Sequence, residues 1–223
     1  VPVRLVTPPS GEPITLAEAK AHLRLETALD DSYVTNLITA ARAYVEQVCW
    51  RGVLAQTWEL ILPGFLGEDR FDLGERDRRY FSLPVGYEWS NADRAYRFLS
   101  YIELDRGETS SLVWVKYIDP NGTQQTLDPS VTTLDNVTAP ARLRLAYGQA
   151  WPITRDQWDA VRIQYVVGWA DAASVPLPVK QAMLLIISQL YEFRTPEVAA
   201  VLTQVQQLSV DALLAPYRLA RYW

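Results

Sequence analysis

Few side chains in this sequence are of a type that could do chemistry. There is one histidine, His22, and one cysteine, Cys49. A structural zinc site needs about four Cys or His ligands. Serine-type triads and Cys–His dyads need a histidine base, and His22 lies on a different helical segment from Cys49. Paired carboxylates remain. Glu59, Glu103 and Asp105 fall on or beside strand-like segments, as the acids of many glycosidases do. Trp89, Trp114 and Trp151 would line a sugar cleft beside them. The same acids alternate with apolar residues, which reads more simply as the outer face of strands. No Gly-rich phosphate loop is present, because "GERDRRY" lacks the lysine and hydroxyl of one. "DPNG" (119–122) lacks the spaced carboxylates of a calcium loop and reads as a hairpin turn. The basic cluster "RDRR" (76–79) is flanked by Glu68, Asp69, Asp72 and Glu75, so its charge nearly cancels. No catalytic, cofactor-binding or metal-binding residue is assigned.

The elements that would position these residues are easier to read. In "ITLAEAKAHLRLE", Thr15 and Glu18 form a capping box and Leu16, Ala19 and Leu23 an apolar stripe. "ALDDSYVTNLITAARAYVEQVCWRG" is a longer helix. Asp30 and Asp31 lie at its start, and Val34, Leu37, Ile38, Ala41, Val45 and Val48 line one face. Gly52 is expected to stop it. Strands are expected over 54–62, 100–104, 111–118, 123–129, 141–147 and 159–169. "SVPLPVKQAMLLIISQLYEFR" is a third helix with Pro178 in its first turn. It is apolar on more than one side and so central. Residues 64–98 lack clear periodicity and read as an insertion.

With 223 residues, 49% of them hydrophobic and 21% charged, the composition is that of a globular chain. The segment "VPVRLVTPPSGEP" has no signal-peptide core, and no apolar run approaches a membrane span, so a cytoplasmic origin is the expectation. The net charge is −5, which argues against a nucleic-acid coat. Lys20, Lys116 and Lys180 are the only lysines; the other cations are arginine. With eight tryptophans and twelve tyrosines, this mixture is typical of protein interfaces; a GC-rich genome gives the same arginine bias.

Taken in order, "ITLAEAKAHLRLETALDDSYVTNLITAARAYVEQVCWRGVLAQTWEL", "VKYIDPNGTQQTLDPS", "PARLRLAYGQAWPITR", "AVRIQYVVGWADAASVPLPVKQAMLLIISQLYEFR" and "DALLAPYR" resemble the head–tail adaptor family of tailed bacteriophages. These proteins are also called connector or head-completion proteins, and gene transfer agents have related ones. The likeness covers about residues 8–63 and 100–218; single pieces are weakly specific, and the ordered series is specific. It departs at 64–98, where the family passes from "TWEL" to the next strand in a shorter stretch.

The resemblance implies an α+β, mainly helical fold. Two N-terminal helices and a central helix of the C-terminal half make a bundle, with a small antiparallel β part and an extended C-terminal arm. It implies one adaptor domain over 1–212 and a docking arm over 213–223. It implies a structural virion protein at the head–tail interface, assembled in the host bacterial cytoplasm, with no enzymatic activity and no cofactor. The expected partners are other copies in a ring of about twelve, the portal protein, and a stopper or tail-terminator protein. DNA would pass through the lumen without sequence-specific binding, and no membrane is involved.

Portal binding falls to Leu213, Leu214, Pro216, Tyr217, Arg218, Arg221, Tyr222 and Trp223. In this reading the two leucines anchor the arm, and Pro216 turns the chain away from the body; the other reading is a tail that folds back on its own subunit. Arg76, Arg78, Arg79, Tyr80, Tyr87 and Trp89 of the insertion would face the tail or a neighbouring subunit. A ring of acidic subunits would repel phosphates and let DNA slide. The alternative is a carbohydrate- or receptor-binding module of a virion that uses its tryptophans as stacking platforms.

Overall fold

The structure is a computed structural model that describes residues 3–65, 101–107, 109–193 and 209–219. The chain divides into two compact units: residues 1–8 with 56–167, and residues 9–55 with 168–223. Each has its own hydrophobic core.

The second unit is helical. Helix α1 (Leu16–Leu23) opens with the expected capping box: the Thr15 hydroxyl accepts from the Glu18 N–H, and the Glu18 carboxylate accepts from the Thr15 N–H at 2.7 Å. That backbone bond, with the Thr15 hydroxyl, holds the Glu18 carboxyl below its ordinary range. Its stabilisation is therefore present above the ordinary Glu pKa and lost as pH falls through the lowered value. Helix α2 (Asp31–Cys49) buries Val34, Leu37, Ile38, Ala41, Val45 and Cys49. It ends at Trp50, which takes the left-handed conformation (φ 54°) and returns its N–H to the Glu46 carbonyl. Gly52 is thus not the stop. The Glu46 carboxylate accepts from the Val53 N–H beyond the helix end, and Arg42 binds both Glu46 and Glu12.

Helix α3 (Leu177–Glu192) packs against α1 and α2. Its buried Val179, Ala182, Met183, Ile186 and Ile187 join the α2 stripe in one core. Asp30 accepts from the Tyr191 hydroxyl at 2.6 Å, and the Leu190 carbonyl accepts from the Tyr33 hydroxyl. These bonds put the end of α3 beside the start of α2.

Among the described residues the first unit is β apart from a 3-10 turn at Pro129–Val131. Strands β1 (Val3–Thr7), β2 (Gln56–Leu62), β4 (Thr109–Ile118), β5 (Gln124–Thr126) and β8 (Val161–Val167) form one sheet in the order β1-β2-β8-β4-β5. Strands β3 (Ile102–Leu104), β6 (Thr132–Asp135) and β7 (Ala141–Leu145) form another in the order β3-β7-β6. Every pairing is antiparallel. Leu60, Leu62, Val115, Val161, Ile163, Tyr165 and Val167 of the larger sheet share a core with Ile102, Leu104, Ala141 and Leu143 of the smaller. The fold is α+β as expected. It is not mainly helical, and its β part is not small: it forms a unit of its own. Strands β1 and β6 lie outside the expected set.

The "DPNG" turn closes β4 onto β5. Asp119 Oδ1 accepts from the Asn121 and Thr123 N–H groups, and Gly122 takes φ 85°. Gly168 matters more. It has φ 96°, and a Cβ there would lie 2.3 Å from the Leu54 carbonyl oxygen. Gly148 has φ 76° with nothing within 4 Å of such a Cβ. Both alanine variants carry the left-handed penalty of roughly 1–2 kcal/mol, but only Gly168→Ala also forces backbone apart. Urea denaturation of the two variants is expected to show a clearly larger loss of stability for Gly168→Ala; equal losses would contradict the contact.

Candidate interaction site

Trp169 follows Gly168, and its carbonyl accepts from the Ala55 N–H at 2.9 Å. This bond fixes an indole at the end of α2. The Arg51 guanidinium lies 5.7 Å from its ring centroid, and the Tyr217 ring meets it edge-on at 6.3 Å and 75°. The C-terminal segment seats here. Residues 209–214 are helical and bury Val210 and Leu214 in the helical core. Ala215–Tyr217 form a 3-10 turn, with Pro216 at its start, where a missing N–H is tolerated. The Leu219 N–H then donates to the Cys49 carbonyl at 3.1 Å. That carbonyl is among the last of α2, which have no partner within the helix. The segment thus completes the cap of α2.

Several arm residues are therefore placed. Leu214 is fully buried and Leu213 packs beside it, so both anchor as expected. Pro216 does not turn the chain away from the body. Through Leu219 the segment stays on the helical unit, because Trp169 offers an aromatic edge and α2 an open carbonyl. Tyr217 is engaged by Trp169, and Arg218 is ion-paired with Asp211 within the same segment. Arg221, Tyr222 and Trp223 lie outside the described residues, as do Arg76, Arg78, Arg79, Tyr80, Tyr87 and Trp89 of the insertion. Little in the residues around 169 signalled this seat, because it joins residues near 51, 169 and 217, too far apart in sequence for local periodicity to link them. Tryptophan after glycine was the one available clue.

The chemistry-bearing side chains have structural partners. Cys49 is buried, which pushes its thiol pKa up; the nearby Arg218 and Arg51 charges oppose the shift without reversing it. Such a thiol is a poor nucleophile. Glu59 is not on an open outer face. It is 3% exposed and ion-paired to Arg4, its direct neighbour on β1. Glu103 sits opposite Arg142 in the other sheet; burial raises its pKa, with Arg142 pulling the other way. Glu59 and Glu103 thus belong to different sheets, each beside an arginine, and the Asp105 charge near Glu103 adds to its upward shift. Trp151 stacks on Phe65 at 4.5 Å and 5°, and Trp114 lies under the Lys116 ammonium. Trp89 lies outside the described residues. Among the described residues no group of three or more His, Cys, Asp and Glu side chains is placed to hold a metal ion, and no helix is long and apolar enough to cross a membrane.

Residues 13–63 match the model of the phage gp6-like head-tail connector protein family. The chain is similar to phage head–tail connectors. That segment holds α1, α2 and β2, so it includes the Cys49 carbonyl and Leu54 of the seat. Similarity of fold extends further. One solved chain, from the neck of an empty GTA (gene transfer agent) particle computed with C6 symmetry, aligns with a TM-score of 0.72 and 20% identity, covering 100% of this chain and 98% of that one. A chain from the virion of the native GTA particle gives 0.68 at 20% identity, with 99% and 97% covered. A chain from the native neck computed with C12 symmetry gives 0.67 at 19% identity, with 100% and 98% covered. A comparison with curated proteins finds no match.

The seat makes the C-terminal segment part of the helical core. Leu214→Ala is expected to cost about 2–5 kcal/mol, the range for a buried leucine, read as a shift in urea midpoint. A loss below about 1 kcal/mol would show that the segment contributes little to the unit.

Proposed function

We propose that this protein is a non-enzymatic adaptor that forms a ring beneath the portal of a phage-like particle. The ring joins the DNA-filled head to the tail and extends the DNA channel. The observation that carries the reading is the likeness of the whole chain, end to end, to a neck subunit. The connector-family match over 13–63 supports it independently. C6 and C12 symmetry in the related necks favours a homo-oligomeric ring, with twelve copies as the working number. The net charge of −5 suits a channel through which DNA slides.

In this reading the C-terminal residues make the portal contact. Leu213 to Leu219 hold the arm to the helical unit, and Arg221, Tyr222 and Trp223 reach the partner. The insertion at 64–98, with Arg76, Arg78, Arg79, Tyr80, Tyr87 and Trp89, serves an outer or tail-facing surface. The stopper or tail terminator docks on the opposite end of the ring, and assembly takes place in the host cytoplasm.

Negative-stain imaging of the purified protein mixed with its portal tests the reading. Rings capping the portal are expected. Absence of rings, together with sugar-quenched tryptophan fluorescence, would favour the binding-module alternative. Removing 220–223 is expected to leave a folded protein that no longer caps portals, and normal capping by it would refute the arm. Deleting 68–96 is expected to leave rings intact and impair tail joining; wild-type particle yield would remove the role given to the insertion.

A further inference from the structure

Glu103 is the middle residue of β3, between Ile102 and Leu104, which are both buried in the sheet core. Side chains alternate along a strand, so Glu103 lies on the face away from that core. Residues directly opposite in an antiparallel pair share a face. The register sets Glu103 against Arg142 of β7, and Arg142 against Asp135 of β6. One guanidinium thus stands between two carboxylates in a single row across the three strands.

The two carboxylates are held differently. Asp135 Oδ1 accepts from the Val137 N–H at 3.1 Å and Oδ2 from the Thr138 hydroxyl. These bonds favour its charge: the Val137 N–H, above all, holds the carboxyl below its ordinary range. Glu103 is half-buried and, among the described residues, accepts no hydrogen bond. Arg142 does not bind it directly. The guanidinium lies over the Tyr101 ring at 4.5 Å, and its Nε is buried without a partner. The other charges nearby do not balance the row. Asp105, on the same face of β3, adds a like charge. Arg144 of β7 is exposed and opposite Thr133, and Arg106 lies over Trp58. A half-buried charge with no donor costs free energy, and neutralising it removes the cost.

Strand β3 is where that cost is felt. It is three residues long, lies at the edge of its sheet, and pairs with β7 alone among the described residues. We propose that Glu103 is a proton-operated latch on this strand: ionised, it loosens the β3–β7 pairing, and protonated, it lets the strand close. The direction of its pKa agrees. Burial raises it, against the pull of Arg142, and Asp105 adds to the rise. An acid raised in this way destabilises the fold above its folded pKa, and the cost disappears as pH falls. The latch therefore runs opposite to Glu18 and Asp135, whose contributions are lost on acidification.

Hydrogen exchange of the Ile102–Leu104 amides tests this, with the unaltered chain and Glu103→Gln compared at the same pH so that intrinsic rates cancel. At neutral pH the variant is expected to exchange at least about threefold more slowly there, with β2 and β8 unchanged. The two are expected to converge as pH falls towards about 4.3, the ordinary Glu value. Equal exchange at neutral pH would overturn the latch. A difference that persists unchanged at the lower pH would overturn it too, because it would come from packing and not from charge. As a second measurement, the Glu103 carboxyl carbon of the unaltered chain is titrated by NMR. Its midpoint is expected above that of free glutamate, and further up in Arg142→Gln. A midpoint at or below the free value, or no rise on losing Arg142, would overturn the proposal.

Discussion

The approach of Gly168 to the Leu54 carbonyl sets the rest of the helical unit. With no Cβ in the way, the 168–169 segment lies close enough for Trp169 to accept from the Ala55 N–H. That places the indole between Arg51 and Tyr217. Tyr217 in turn holds the segment whose Leu214 fills the core and whose Leu219 N–H caps α2. A methyl group at position 168 would strike the Leu54 carbonyl and crowd the Ala55 N–H that Trp169 accepts from. The constraint is steric and so does not fade with salt or pH.

The sheet unit is held together differently. Its core is a single apolar cluster fed by two sheets. Around it, long cations lie over aromatic rings: Arg106 over Trp58, Lys116 over Trp114 and Arg142 over Tyr101, each at 4.5 Å. These stacks use the arginine and aromatic richness of the composition inside the subunit. The enrichment that reads from sequence as interface-like is therefore partly intramolecular.

What was legible in the sequence was local. The Thr15–Glu18 box, the α2 stripe, the proline near the start of α3 and the "DPNG" turn each declare themselves within a few residues, and each forms as read. Strand β1 was not legible. It is five residues long, mostly exposed, and followed by two prolines, so it carries no alternation. Strand β6 is four residues with no fully buried position. Both exist because a neighbour offers hydrogen bonds, which is a tertiary cause. Missing β1 also hid the partner of Glu59, so a buried acid paired to an exposed arginine read as a solvent-facing acid. The end of α2 was misjudged because a tryptophan takes the left-handed turn that glycine usually takes. The candidate site was legible in part. Leu213 and Leu214 read as anchors, whereas the Trp169 seat joins positions too far apart for any periodicity to reveal.

The bond from Leu219 to Cys49 has a mechanical consequence. The chain end is tied to the last turn of α2. Tension applied beyond residue 219 therefore reaches α2 before it can peel Leu214 from the core.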